Sequence, residues 1–264
     1  MSCNVRKCWL AGWLLGGCIP VCAQDAANAW LKLSGEFRAR GEFARSVGFE
    51  SGVDDSYYLN RVRLLANLEP RDWLRVAVQV QDARAPGMAN AEGFADRADL
   101  RQAYIALGRA GGGWELRLGR QELSLGDERL VAADSFWDPL GRSWDAASLA
   151  YRRGDLKLTW LAAYNVAPLE KRLNRPAWHD RLYGFVATLP KAPGGIQLEP
   201  YFLFDELLRH QDGDGPPKSE RIATFGTRAV GVLPARFDYN FEAAFQCGRH
   251  NSEPVAAGAL HSEV

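Results

Sequence analysis

Cysteine, histidine and lysine are scarce in this chain, and each scarcity excludes something. Four of the five cysteines, Cys3, Cys8, Cys18 and Cys22, lie in the first stretch, and Cys247 stands alone after it. One thiol builds no disulfide framework within a chain. Cys247 ends a strand beside Gly248 with no base near it, so it reads as incidental and not as a nucleophile. His179, His210, His250 and His261 fall in loops or the tail and are too dispersed for a metal site. Asp212-Gly213-Asp214-Gly215 lacks the third ligand pair and closing glutamate of a calcium loop. Gly-x-Ser-x-Gly, a glycine-rich phosphate loop and paired Cys-x-x-Cys are all missing. No cofactor, metal or enzymatic chemistry is expected.

Net charge is missing too. The 32 basic and 32 acidic residues cancel, and removing the two basic residues of an N-terminal leader leaves 30 against 32, or about −2. That balance excludes a nucleic-acid partner. Only six of the basic residues are lysine, so arginine, whose planar fork suits carboxylates, supplies the rest. Long apolar runs are absent beyond the leader, where no window approaches the ~20 residues of a membrane-crossing helix.

The leader itself is legible. Arg6 and Lys7 precede an apolar run over 8–19, and Val21-Cys22-Ala23 makes a small-x-small cleavage site before Gln24. Residues 1–23 read as a secretory signal peptide and 24–264 as the exported domain. Leu15-Gly16-Gly17-Cys18 permits a lipoprotein reading with Cys18 acylated, but a lipid anchor is redundant for a chain that itself spans a bilayer.

What the chain does have is a period of two. Leu31, Leu33, Gly35, Phe37, Ala39, Gly41 and Phe43 alternate with Lys32, Ser34, Glu36, Arg38, Arg40 and Glu42. Near the other end Phe237, Tyr239, Phe241, Ala243 and Phe245 alternate with Asp238, Asn240, Glu242, Ala244 and Gln246. Side chains alternate across a strand, so both stretches are strands with one apolar and one polar face. About eleven strands are predicted, over 31–45, 57–69, 73–82, 99–108, 114–122, 143–152, 155–165, 180–189, 196–205, 222–232 and 236–246. Tight connections at 69–72, 153–154, 193–195 and 233–235 alternate with long ones at 46–56, 83–98, 122–142, 166–179 and 206–221. Short turns at one end and long loops at the other mark an outer-membrane barrel with periplasmic turns.

The expected fold class is therefore all-β, an antiparallel up-and-down transmembrane β-barrel. Strands of ~10 residues match a tilted crossing. Trp30, Phe43, Trp73, Trp114, Tyr164 and Tyr183 lie near strand ends, as interfacial girdles do. Glu36, Arg38, Arg40, Arg61, Arg63, Glu115 and Arg117 share the polar faces. A dry interior would desolvate them, and lipid would cost about 2–4 kcal/mol per arginine at mid-depth, so that face is expected to line water. A soluble sandwich or lipocalin-like barrel is the alternative. Bacterial single-chain barrels take an even strand number, and residues 251–264 alternate as though a twelfth strand begins. A truncated chain is expected, against the alternative of a small complete barrel of about ten or twelve strands.

The densest chemistry lies within 116–145. Residues 116–130 read Leu-Arg-Leu-Gly-Arg-Gln-Glu-Leu-Ser-Leu-Gly-Asp-Glu-Arg-Leu, followed by Trp137-Asp138 and Gly141-Arg142-Ser143-Trp144-Asp145. A strand delivers Arg117 and Gln121 to the polar face, and the charges of Asp127, Glu128 and Arg129 on the following loop suggest a constriction. With Asp99-Leu100-Arg101-Gln102-Ala103-Tyr104 upstream, the pattern resembles the alginate export domain of outer-membrane porins over most of residues 30–250. The resemblance implies a monomeric barrel of about 18 strands, of which this chain would hold about eleven or twelve. It also implies an electropositive, arginine-lined constriction passing a uronic-acid polymer outward. Selectivity roles then fall to Arg61, Arg101, Arg120, Arg129 and Arg142, with Arg38, Arg40, Arg63 and Arg117 beside them by strand parity. Glu122, Asp127 and Asp145 would hold these guanidinium groups, with Gln121 as a polar neighbour. Parity from Arg117 points Arg120 outward unless a bulge re-aims it.

The expected function is a passive, anion-selective outer-membrane porin exporting an acidic, alginate-like polysaccharide. Its partners are that polymer or small organic anions, outer-membrane lipid and periplasmic secretion proteins. The alternatives are a general or small-organic-acid porin and a soluble periplasmic β-barrel binder. A barrel enzyme ranks last, because no predicted strand supplies a histidine to face a serine.

Overall fold

The computed structural model describes residues 16–23 (backbone only), 30–44, 55–88, 94–109, 111–133, 139–169, 172–192, 195–211, 216–232 and 237–264. The regular elements among them are strands: β1 (Gly16–Ala23), β2 (Leu31–Ala44), β3 (Asp55–Arg71), β4 (Leu74–Arg84), β5 (Asp96–Gly108), β6 (Gly113–Gln121), β7 (Trp144–Arg153), β8 (Leu156–Ala167), β9 (Arg175–Thr188), β10 (Gln197–His210), β11 (Lys218–Val232), β12 (Asp238–His250) and β13 (Glu253–Glu263). They form one antiparallel sheet in chain order, the up-and-down meander that the alternation of turns and loops predicts. Among the described residues no pairing joins β13 back to β1 or β2, so the sheet is an unclosed run of barrel strands.

The eleven predicted strands are β2 to β12, and the tail forms a twelfth, β13, paired with β12 from Asn240–Glu263 to His250–Glu253. Asn251 makes this tight turn with a positive φ of 55°, a conformation asparagine tolerates. β1 lies inside the segment read as a leader and pairs with β2 from Gly16–Arg40 to Ala23–Leu33. Arg6, Lys7 and the cleavage residue Gln24 fall outside the described residues, as do Trp137-Asp138 and Asp212-Gly213-Asp214-Gly215.

Several strands run further toward the long-loop end than predicted. β9 begins at Arg175 and β10 continues to His210, so two connections expected over 166–179 and 206–221 are shorter. Their polar ends read as loop, yet the backbones stay paired and Glu206 holds Arg221 at 3.0 Å and Arg181 at 3.4 Å across the strands. This extension also corrects the placement of the histidines. His179, His210, His250 and His261 lie on β9, β10, β12 and β13, not in loops, and the rings of His179 and His210 stack 3.5 Å apart. Among the described residues no three histidine, cysteine or acidic side chains gather as a metal site would require.

The dyad pattern divides the sheet into two faces. On β2, Phe37 is 45% exposed while Arg40 is 4% exposed, so the apolar face is the open one. Cross-strand register carries the same side from strand to strand. Trp160, Phe185, Phe202, Phe225 and Phe245 form one aromatic row across β8 to β12. Trp114 leads into it, 4.8 Å from Tyr151 and 5.9 Å from Trp160 between ring centroids. An apolar outer face of this extent is stable only against an apolar medium.

Candidate functional site

The opposite, inner face is covered by the connection between β6 and β7, of which residues 122–133 and 139–143 are described. Leu123 and Val131 pack into a buried cluster with Trp144, Ala146, Leu161, Ala163, Leu182 and Leu203, all on the inner face of β7 to β10. The polar face is therefore not wetted throughout: between β7 and β10 it turns apolar, and the loop seals it. The loop doubles back on itself, Leu125 N donating to Val131 O at 3.1 Å and Glu128 N to Leu125 O at 3.0 Å.

One limb of the loop is held by arginines of β3 and β5. Arg61, ion-paired to Glu36 at 2.5 Å, donates to Pro139 O at 3.4 Å. Arg63 donates to Gln81 Oε1 at 2.6 Å, and both Arg63 and Gln81 reach Leu140 O, at 3.4 and 3.0 Å. Arg101 spreads its fork over Glu122 Oε1 (3.0 Å), Ser143 Oγ (3.0 Å) and Ala133 O (2.6 Å), so it ties the beginning and end of the loop together. A register shift between Gln79 and Val80 on β4 places Arg101 out of step with its neighbours and aims it there. Gly141, at φ +65°, makes room: a Cβ there would lie 2.6 Å from Arg101 Nη2 and 2.7 Å from Ala133 O.

The tip of the loop is latched at the far end of the sheet. Asp127 accepts from Asn240 Nδ2 at 2.6 Å and from Arg228 Nη2 at 3.3 Å, on β12 and β11. Arg129 pairs with Asp127 at 3.0 Å and lies 3.8 Å from Glu242 and 3.7 Å from Glu263. The hydrogen bond from Asn240, with the charges of Arg228 and Arg129, outweighs desolvation and holds the Asp127 carboxyl below its ordinary range. One loop thus touches β3 and β13, ten strands apart (13 minus 3). In a flat sheet they would be separated by about 48 Å. The ten residue steps from Arg129 to Pro139 span at most about 35 Å at full extension, short of that separation, so the sheet curls around the loop.

The remaining expected residues fall into distinct places. Arg120 grips Asp145 through two bonds of 2.8 and 3.1 Å and donates to Leu100 O and Asn174 O. The β6 register is unbroken, so no bulge re-aims it; Arg120 keeps the side of Asp145 and is buried because residue 174 closes over the strand ends. Arg40 is buried against Glu42 at 2.5 Å. Arg38 stands opposite Arg61 on the inner face, half-buried. Arg117 shares the buried Glu115 with Arg75, at 2.7 and 2.9 Å. Gln121 is fully buried, receiving the Ser148 hydroxyl at 2.8 Å and donating to Ala146 O. Arg142 is exposed beside the loop, its guanidinium 6.0 Å from the Trp144 ring.

The sequence reading missed Gln81, Ser143, Asn240 and Arg228, which complete the holding network. Gln81 and Arg228 sit on the polar side of their dyads, a signal that was available. That they meet one loop from opposite ends of the sheet was not. Beneath the loop, toward the short turns, lies a cavity of about 290 Å³ between its roof at 122–126 and the inner faces of β6 to β10.

No curated protein matches the sequence. The alginate export family model matches residues 29–264. A one-sheet meander with an apolar outer face and a charged inner face, matched over nearly its whole length by that model, belongs to the alginate export family, a transport family whose barrel fold implies the outer membrane.

Proposed function

We propose that the sheet is the wall of a passive outer-membrane pore through which an acidic, alginate-like polysaccharide leaves the periplasm, and that residues 122–143 are its constriction. One observation carries this reading: the loop is fixed across the inner face at both ends, by Arg61, Arg63 and Arg101 on one side and by Asn240 and Arg228 on the other. A polymer moving through such a pore passes a rigid sill. The expected arginines divide in role. Arg61, Arg63, Arg101 and Arg120 spend their donors on carboxylates and carbonyls and act by positioning, whereas Arg142, exposed, and Arg129, 38% exposed at its side chain, present charge to the path. Attraction of carboxylates by a few charges in a low-dielectric tube stays weak and repeated, which transport needs.

The leader at residues 1–23 would direct export and be removed, leaving β2 at the edge for pairing within the outer membrane. Periplasmic secretion proteins would deliver polymer to the short-turn end. Reversal potentials in a potassium chloride gradient across a planar bilayer test the reading. Anion preference is expected, with the Arg129→Gln and Arg142→Gln variants shifted toward zero potential. Cation preference would refute it. If small organic acids reverse the preference while uronate oligomers neither enter nor block, the pore serves small acids instead.

A further inference from the structure

The outer face carries charge where its apolar band ends. Cross-strand register sets Tyr164, Arg181, Glu206, Arg221, Arg249 and Pro254 in one row over β8 to β13. On β8 to β12 it lies four residues beyond the row from Trp160 to Phe245, toward the long-loop end, so its side chains share the outward side. Four residues are about 13 Å along a strand, and the long arginine stem carries the charge further, to the rim of an apolar band about 25 Å tall. Aromatic rings mark the same level: Tyr164 meets Trp178 with ring centroids 4.8 Å apart, and the Arg181 guanidinium lies 5.7 Å from the Tyr164 ring. The charges of this row do not cancel. Glu206 alone serves Arg181 at 3.4 Å and Arg221 at 3.0 Å, while Asp145, which continues the row on β7, is taken up by Arg120. Arg249 is exposed, stands directly opposite Arg221 in register and, among the described residues, forms no ion pair. Like charges in that position repel and cost stability. The next outward row toward the aromatic one holds Ala223 and Cys247, side chains small enough to leave room beneath the two guanidinium groups.

We propose that Arg221 and Arg249 form a site for the phosphate of an outer-leaflet lipid, whose head-group sits over Ala223 and Cys247 and whose acyl chains lie along Phe225 and Phe245. Guanidinium forks match phosphate oxygens in pairs, and basic clusters at the edge of an apolar band attract anionic head-groups. The bound phosphate relieves the repulsion between the two arginines, with Glu206 still holding Arg221 from the other side. It also ties together β11 and β12, the strands whose Arg228 and Asn240 latch the loop tip on the inner face. The site faces lipid and not the pore, so it stands whatever anion the pore passes.

Native mass spectrometry of the protein released from detergent micelles tests this by counting bound lipid, with diphosphoryl lipid A as probe and zwitterionic phosphatidylcholine as control. Wild type should retain lipid A and not phosphatidylcholine, and excess inorganic phosphate should not displace it. The Arg221→Gln/Arg249→Gln variant should bind lipid A about tenfold more weakly or worse, the scale of two arginines acting on a charged head-group. The Arg221→Lys/Arg249→Lys variant should recover most of the binding, which separates lost charge from lost fold, and failure to recover it overturns the assignment. Arg109→Gln, which breaks an exposed pair with Asp72 of 2.9 Å at the short-turn end, should bind as wild type does. Unchanged binding in the glutamine variant, or an equal loss in Arg109→Gln, overturns the site in favour of unspecific attraction. Displacement by inorganic phosphate overturns the lipid as occupant, and equal retention of phosphatidylcholine overturns the phosphate site in favour of the apolar face alone.

Discussion

Arginine does two different jobs on one face of this sheet, and the difference lies in what each side chain meets. Residue type and strand parity place Arg61, Arg63 and Arg101 on or near the inner face, but their donors end on loop carbonyls. A buried guanidinium without such partners would be costly, so these contacts come as a set. Gly141 is where the set is most exposed to a small change. In Gly141→Ala the added methyl meets Arg101 and Ala133 O in a left-handed backbone conformation. A loss of about 1–3 kcal/mol is expected, read as a shifted urea midpoint for unfolding from vesicles. The same variant should raise conductance, because the loop limb loses its anchor; an unaltered midpoint would show that the limb is held elsewhere.

At the scale of the element, the 122–143 loop is a strap fastened at two ends, and one fastening depends on pH. Asp127 in the folded protein titrates below its ordinary range, held there first by Asn240 and then by Arg228 and Arg129. A depressed carboxyl stabilises the latched loop fully above the ordinary carboxylate range, and that contribution fades as pH falls through the lowered value. The latch should therefore hold at neutral pH and release only in acid, seen as acid-dependent protease cleavage within the loop. Asp127→Asn should remove the acid dependence and resemble the released state at all pH values. A cleavage profile in the variant identical to wild type would place the latch on Arg129 alone. The loop's length and mixed charge were legible from residues 122–142, and a constriction was the natural reading. Its apolar underside was less so, although β8 is apolar on both sides over Leu158, Trp160, Leu161, Ala162 and Ala163, a hint that its inner face is covered.

For the whole molecule, the outer face commits the sheet to a membrane. The row from Trp160 to Phe245 runs across five strands with its rings exposed or half-exposed. Phe245→Arg, near the middle of β12, should cost about 2–4 kcal/mol of folding into vesicles, and the variant should be released from membranes by urea at lower concentration than wild type. Full release of the wild type by the same treatment would mark a soluble sheet.

The sequence by itself determined the order of β2 to β12 and which side of each dyad is apolar, because a period of two is local and each pair of neighbours records it. It also contained the charged stretch at 116–145 by which the family is recognised. Only the tertiary structure decided that Arg61 and Arg63 clasp one limb of the loop while Asn240 and Arg228, more than a hundred residues further on, clasp its tip. Such meetings depend on how the sheet curls and in what register, and no local pattern encodes a contact between the two ends of a sheet.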